Sequence, residues 1–359
     1  MTARRAVLAA FVRLSRPKFL LESLITVIMG CTVSVYSGHP WRFGPWLTVQ
    51  LFVTATHLMT HYCNEYFDLE ADRAHTGANT WTGGSRVLVE GRLRPRVSLS
   101  AAFVLLFGIL ALVMAMPSAI ERYAALVVLA LAWFYTAPPV RLNYHAFGEV
   151  TTSGVLTLCC PALAVLGQAG TVPALLFALG VPLFLVMGAR MIVMNFCDRD
   201  SDLAVGKRTL PNLLGPRRAA LLFTAAQIIA YTGVLAMTVL GVLPAPAGIA
   251  VLLTAFLAYP VSRKVLRTPP SAADLLGAAR IALLATVHAA STCFAATLGM
   301  LVAVVWWAPA DGLPPSSVLA CAALFLGYTV LFALAQWQDA RDRALGLPGS
   351  NPADFNPAV

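Results

Sequence analysis

Charge is what this chain has least of. Of its 359 residues, 11% are charged, against about 25% in soluble domains. With 59% apolar residues and a mean hydropathy of +0.76, that scarcity excludes an ordinary soluble domain. Short stretches alternating with period two are missing as well, which argues against a membrane β-barrel and for apolar α-helices. The seven cysteines lack metal or disulfide spacing. Cys31, Cys63, Cys159, Cys160, Cys293 and Cys321 fall in or beside apolar runs and Cys197 adjoins an acidic motif, so they read as buried thiols. The N-terminus lacks the order of a signal peptide, because Arg13, Arg16, Pro17 and Lys18 follow its short apolar patch. An interfacial amphipathic helix fits better. No basic tract is interleaved with aromatics, so the net charge of +9 does not imply a nucleic-acid partner.

What the chain has is long apolar runs. Ten are read, at 19–37, 45–68, 97–116, 119–136, 147–168, 171–198, 217–241, 243–262, 280–306 and 316–336. Polar loops at 69–96, 199–216 and 263–279 separate some of them. The fold expected is all-α, a polytopic transmembrane bundle of nine or ten helices. It divides into a basic segment at 1–18, one membrane domain at 19–336 and a tail at 337–359. With both termini in the cytoplasm, 22 of the 25 Lys and Arg fall on the cytoplasmic side. Only Arg42 and Arg122 lie opposite, and Arg190 sits inside a run. This asymmetry predicts a multi-pass protein of the cytoplasmic membrane, with loop cations facing anionic lipid or an anionic substrate.

Two of the greasy runs end in acids. The second closes with "HYCNEYFDLEAD" and the sixth with "NFCDRDSD". Asp68 and Asp72 are spaced i,i+4, with Asn64 one turn earlier. Asp198 and Asp202 repeat the spacing, with Asn195 three residues before them. If each helix continues past the membrane edge, each pair shares one face. Both pairs lie on the same side of the membrane under the topology above. Facing carboxylates repel unless cations intervene, and hard oxygen ligands suit Mg²⁺, which completes its shell with substrate phosphate. The expectation is a diphosphate bridged by metal between two acidic helix ends. Arg73, Arg86, Lys207 and Arg208 stand nearby as counter-charges for it. One acidic helix end reads equally well as solvated polarity; two with matched spacing, side and flanking Asn do not.

These residues resemble the UbiA superfamily of intramembrane prenyltransferases. "NEYFDLEAD" is similar to its first Asp-rich motif, with Glu65 in place of the usual first Asp, and "DRDSDLAVGKRTLPNLLG" to its second. "YTAPPVRLNYHAFGEV" resembles the loop between its fourth and fifth helices. "TGGSRVLVEGRL" and "RPKF" lean toward the MenA-like branch, which prenylates dihydroxynaphthoate. The resemblance covers roughly residues 14–260. It implies a helical bundle opening to the cytoplasm and to lipid. It implies Mg²⁺-dependent transfer of a polyprenyl group from an allylic diphosphate to an aromatic acceptor. Asn64, Asp68 and Asp72 would hold one metal, and Asp198 and Asp202 the other. Lys207 would contact the diphosphate, with Tyr135 and Arg141 matching the family loop less closely. The family usually has nine spans, one fewer than the runs counted here.

Ionising an allylic diphosphate leaves a cation that needs a dry pocket. Tyr62, Tyr66, Phe67 and Tyr135 are candidates to face it, or else interfacial anchors. His57 and His61 continue the stripe of Asn64 and Asp68 down the second helix. They suit acceptor binding, proton removal or neutral packing; a zinc site lacks a third ligand. Arg190 lies two turns before Asp198 and either holds an anionic acceptor, pairs with a cavity carboxylate or snorkels. Glu22 and Glu149 stay ambiguous. A terpene cyclase would use the same acidic motifs without an acceptor. A transporter would place its charges near the midplane, commonly in inverted repeats, and no such repeat is evident.

Overall fold

The computed structural model describes residues 3–76, 78, 81–271, 273–307 and 313–344. The end of the expected tail, 345–359, lies outside them. Among the described residues the chain is helical, with no strand beyond one isolated bridge between His145 and Arg208.

The first helix, α1 (Ala3–Leu14), is the amphipathic segment expected before the first run. It buries Ala10 and Leu14, stacks Phe11 on Tyr62 at 5.3 Å and leaves Val7, Leu8 and Val12 exposed. Then come α2 (Pro17–Tyr36), α3 (Phe43–Phe67), the short α4 (Leu69–Ala74), α5 (Pro95–Ala115) and α6 (Ala119–Trp133). The next passage is α7 (Gly148–Gly154), a π-helical turn (Val155–Cys159) and α8 (Cys160–Ala169). After α9 (Ala174–Cys197) follow α10 (Arg199–Ala204), α11 (Leu210–Leu214) and α12 (Pro216–Val239). The chain then runs through α13 (Ala245–Leu253), α14 (Ala255–Arg267), α15 (Leu275–Trp307) and α16 (Pro315–Ala344). Proline opens α2, α5, α12 and α16, where its fixed φ suits a first turn that needs no N–H donor.

Each of the ten apolar runs forms a helical passage. Eight are long and apolar enough to cross a membrane by length and composition. The other two are α3 and α6. α6 has only 15 residues. α3 has 25, about 37 Å of helix, but carries Gln50, Thr54, His57, Thr60, His61, Asn64 and Glu65. That polarity has a use, because α3 forms a wall of the central cavity. α16 extends to Ala344, so the boundary drawn at residue 337 falls within a helix.

α2 is the central strut, buried from Ile25 to Val35. A Cβ on its Gly30 would stand 2.4 Å from the Pro161 carbonyl oxygen, so glycine lets α2 and α8 meet backbone to backbone. Several hydroxyls inside the bundle satisfy themselves on their own helix, as Thr32 Oγ1 does by donating to the Ile28 carbonyl at 2.8 Å. The bundle has two distinct ends. At one, Arg42 donates to the Gly167 and Gln168 carbonyls (2.8 and 2.6 Å), and the Trp41 N–H donates to Ser317 Oγ at 3.0 Å. The acidic helix ends lie at the other, with the basic loops.

Candidate active site

Both acid-bearing helices break at the first aspartate of their motif. α3 ends at Phe67 and α4 starts at Leu69, with Asp68 between them at φ −95°, ψ 7°. α9 ends at Cys197 and α10 starts at Arg199, with Asp198 at φ −90°, ψ 0°. The helices therefore do not simply run on, as the spacing alone suggested. The hydrogen-bond ladder survives each bend, since the Asp72 N–H reaches the Asp68 carbonyl and the Asp202 N–H the Asp198 carbonyl, both at 2.9 Å. The i,i+4 pairs stay together for that reason.

The two bends face one another across the mouth of a cavity of about 220 Å³ walled by α2, α3, α6, α7, α8 and α9. Asn64, Asp68, Asp72, Asn195, Asp198, Asp202 and Lys207 line its mouth, with Tyr135 beside them. Lys207 is the tie. Its Nζ lies 3.2 Å from Asp68 Oδ2 and 3.2 Å from Asp202 Oδ1, one carboxylate from each motif. Asp68, 4% exposed, also accepts from Asn64 Nδ2 at 2.7 Å and Asn143 Nδ2 at 3.1 Å. Burial works against the Lys207 charge, but Asp68 and Asp202 outweigh it and hold the ammonium well above its usual range. Burial pushes Asp202 up to about 7; Lys207 opposes this, while Asp198 and Asp68 add to it. Asp72 is raised as well, first by burial and then by Glu65.

Four expected cations stay outside the cavity, Arg86 among them. Arg73 turns outward, half exposed, and pairs with Glu70 at 2.7 Å, because it sits one position past the face that Asp72 occupies. In the Gly-Lys-Arg-Thr turn Lys207 points in and Arg208 out; the Arg208 N–H instead donates to the Tyr144 carbonyl at 3.0 Å. Arg141 stacks 3.8 Å above the Tyr144 ring and donates to the Phe67 carbonyl at 3.3 Å, which braces the bend from behind. His61 and Arg190 do line the cavity, deeper than the carboxylates. Arg190 pairs with Glu22 at 2.5 Å, so the cavity-carboxylate alternative is the one realised.

Four residues matter more than the motifs suggested. His75 Nε2 lies 2.8 Å from Asp198 Oδ1 and joins the end of α4 to the second motif. Asn143, from the loop before α7, contacts Asp68 as above. Glu149 accepts from Asn195 Nδ2 at 2.7 Å and the Leu210 N–H at 2.8 Å, clasping α9 to the segment after Lys207. Glu65, the departure from the family pattern, is 2% exposed and accepts from Arg16 Nε (2.7 Å), the Ser85 N–H (2.8 Å) and Ser85 Oγ (2.6 Å). It anchors the start of α2 and the "TGGSR" loop to α3. That loop closes over Asp72. A Cβ on Gly84, at φ +75°, would stand 2.1 Å from Asp72 Oδ2, so only glycine fits. Arg86 donates to the Asp72 carbonyl from the same loop. Only an irregular loop brings Ser85 to Glu65, and no spacing rule reports that.

Removing one partner of such a buried pair costs about 3–5 kcal/mol. Glu65→Ala is therefore expected to lower the thermal unfolding midpoint in detergent by several degrees. Glu70→Ala, at an exposed pair, should leave it unchanged.

The mouth suits a hard divalent cation. Asp202 Oδ2 and Asn143 Oδ1 are buried with no hydrogen-bond partner among the described residues. Among the described residues, no group of three acidic, His or Cys side chains is gathered as a ready cage there. Mg²⁺ fits this arrangement, since it takes one or two carboxylates and fills the rest of its shell with water and phosphate.

The model of the UbiA prenyltransferase family matches residues 23–284. The chain belongs to that family. It is a multi-pass membrane enzyme, a UbiA-type prenyltransferase. Among its relatives is the 1,4-dihydroxy-2-naphthoate octaprenyltransferase of Bacillus subtilis, 24% identical over 242 residues, covering 64% of this chain and 73% of that protein. The digeranylgeranylglyceryl phosphate synthase of Pyrococcus abyssi is 30% identical over 217 residues, covering 59% and 72%. Among solved structures, the UbiA homolog from Aeropyrum pernix K1 overlays with a TM-score of 0.59 at 19% identity, over 79% of this chain and 97% of that one. The UbiA homolog from Archaeoglobus fulgidus bound to DMAPP and Mg²⁺ overlays at 0.52 with 16% identity, over 90% and 98%. These likenesses carry the fold.

Proposed function

We propose that this UbiA prenyltransferase transfers a polyprenyl group from an allylic diphosphate to an aromatic acceptor at the cytoplasmic face of the cell membrane. The observation that carries this is the layering of the cavity. Carboxylates from two helices crown it, and below them the side of the wall formed by α2, α3 and α9 carries polar groups, facing apolar residues such as Val128, Leu131 and Leu156, where a purely hydrocarbon-folding site would need no such groups. Thr56, His57, Thr60, His61, Glu22 and Arg190 form that lower layer. It suits a polar co-substrate beside the prenyl chain. The relative named for dihydroxynaphthoate and the homolog bound to DMAPP and Mg²⁺ support the same reading.

Asn64, Asp68 and Asp72 would hold one Mg²⁺, and Asp198 and Asp202 a second. Bound there, the metal supplies Lewis-acid stabilisation of the leaving diphosphate. Lys207 donates to the diphosphate oxygens as the allylic C–O bond breaks. His75 and Glu149 keep Asp198 and Asn195 in place. The "TGGSR" loop excludes water over Asp72, and Tyr135 offers a π face to the allylic cation. The acceptor ring carbon forms the new C–C bond and loses its proton, so a prenylated acceptor and diphosphate leave.

The test is to incubate the purified protein with Mg²⁺ and allylic diphosphates of several lengths, with and without phenols, naphthols and naphthoates. Acceptor-dependent diphosphate release with a prenylated product is the expected result. Release without acceptor, giving a new hydrocarbon, would identify a cyclase instead. No release from folded protein under any condition would refute both.

A further inference from the structure

We infer that the polar layer formed by Glu22, His57 and Arg190 is the acceptor subsite, and that it takes a hydroxyarene carrying no carboxylate. The inference rests on the prenyl-transfer reading above and departs from an acidic naphthoate acceptor. Every cation on the cavity wall is already held by a carboxylate. Arg16 is held by Glu65, Lys207 by Asp68 and Asp202, and Arg190 by Glu22 at 2.5 Å. Five carboxylates line the cavity against three cations, with Glu22, Asp68, Asp72, Asp198 and Asp202 facing Arg16, Arg190 and Lys207. The diphosphate brings further negative charge to the mouth. Below it, among the described residues, no positive charge is left to receive another anion. An acceptor carboxylate that reached Arg190 would meet Glu22, and like charges brought together in a desolvated site cost several kcal/mol.

The same layer suits uncharged hydroxyls. Thr56 Oγ1, His57 Nδ1 and Arg190 Nε are buried with no hydrogen-bond partner among the described residues. Thr56 and Arg190 are 3% and 4% exposed. Buried polar atoms of this kind call for neutral donors and acceptors from a ligand. Aromatic edges stand beside them, with Phe19 packed against His61 at 6.1 Å and against Trp81 at 5.9 Å. They offer a flat ring something to lie on. A quinol, phenol or naphthol satisfies both layers, whereas its carboxylated analogue adds a charge that nothing here neutralises.

The test compares two acceptors that differ only in the carboxylate, 1,4-dihydroxynaphthalene and 1,4-dihydroxy-2-naphthoate, with one allylic diphosphate. The wild-type protein is expected to favour the uncharged acceptor in kcat/KM by about tenfold or more, with the difference in the acceptor's KM. Glu22→Gln releases the charge of Arg190 and should narrow or reverse that ratio, leaving the KM of the allylic diphosphate unchanged. The paired variant Glu22→Gln with Arg190→Gln removes both charges and should keep the wild-type preference, which guards against a single variant that fails to fold. Wild-type preference for the carboxylated acceptor overturns the inference alone. Formation of a hydrocarbon with no product from either acceptor overturns the transfer reading beneath it.

Discussion

Asparagine in place of Asp68 is expected to lower kcat by about 10²–10³-fold, the loss seen when one preorganised electrostatic group is removed from a reacting centre. Asp68 is where the two halves of the site meet. It sits at the α3–α4 bend, accepts from Asn64 and Asn143 and shares Lys207 with Asp202. The amide keeps the shape and can still accept one hydrogen bond, so the fold should persist. The charge is lost, and with it both the proposed metal ligand and half of the hold on Lys207. Diphosphate release under saturating substrate measures the effect, and a retained gel-filtration profile separates it from unfolding. Asp200→Asn is the internal control. Asp200 is exposed on the far side of α10, so its loss should change kcat less than about twofold, as expected for surface substitutions.

The contrast between Asp68 and Asp200 is one that spacing alone could draw. Period and charge placed the acid pairs on one face and on one side of the membrane, and the structure brings them together at one mouth. The ten helical passages were legible as well, eight of them because their apolar length alone suffices for a span. What escaped was whatever depends on loops. Glu65 differs from its neighbours Asn64 and Asp68 by pointing at Arg16 and Ser85, and its partners lie 49 and 20 residues away. His75 reaches Asp198 over 123 residues, and Glu22 reaches Arg190 over 168. Pairings of that range follow from packing and carry no local period. The Gly-Lys-Arg-Thr turn illustrates the limit within a single motif. Two adjacent cations are equivalent in sequence, yet the turn sends Lys207 in and Arg208 out.

Lys207 gives the second large effect. Lys207→Met keeps the length of the side chain and removes the cation that bridges Asp68 and Asp202. Two buried carboxylates then face each other without it, and breaking a buried pair on one side costs about 3–5 kcal/mol. The unfolding midpoint without metal should fall accordingly, and added Mg²⁺ should recover part of that loss, because a divalent cation then replaces the missing charge between the same oxygens. Activity should not recover in step. In the proposed reaction the ammonium is also the donor that meets the leaving diphosphate, and losing such a donor lowers kcat by about 10²–10³-fold even with the metal present. The two readouts are separable on one preparation, thermal unfolding with and without Mg²⁺ and diphosphate release at saturating Mg²⁺. A variant that regains stability with Mg²⁺ and stays slow identifies Lys207 as a participant in catalysis. One that regains both would reduce it to a counter-ion for the two aspartates.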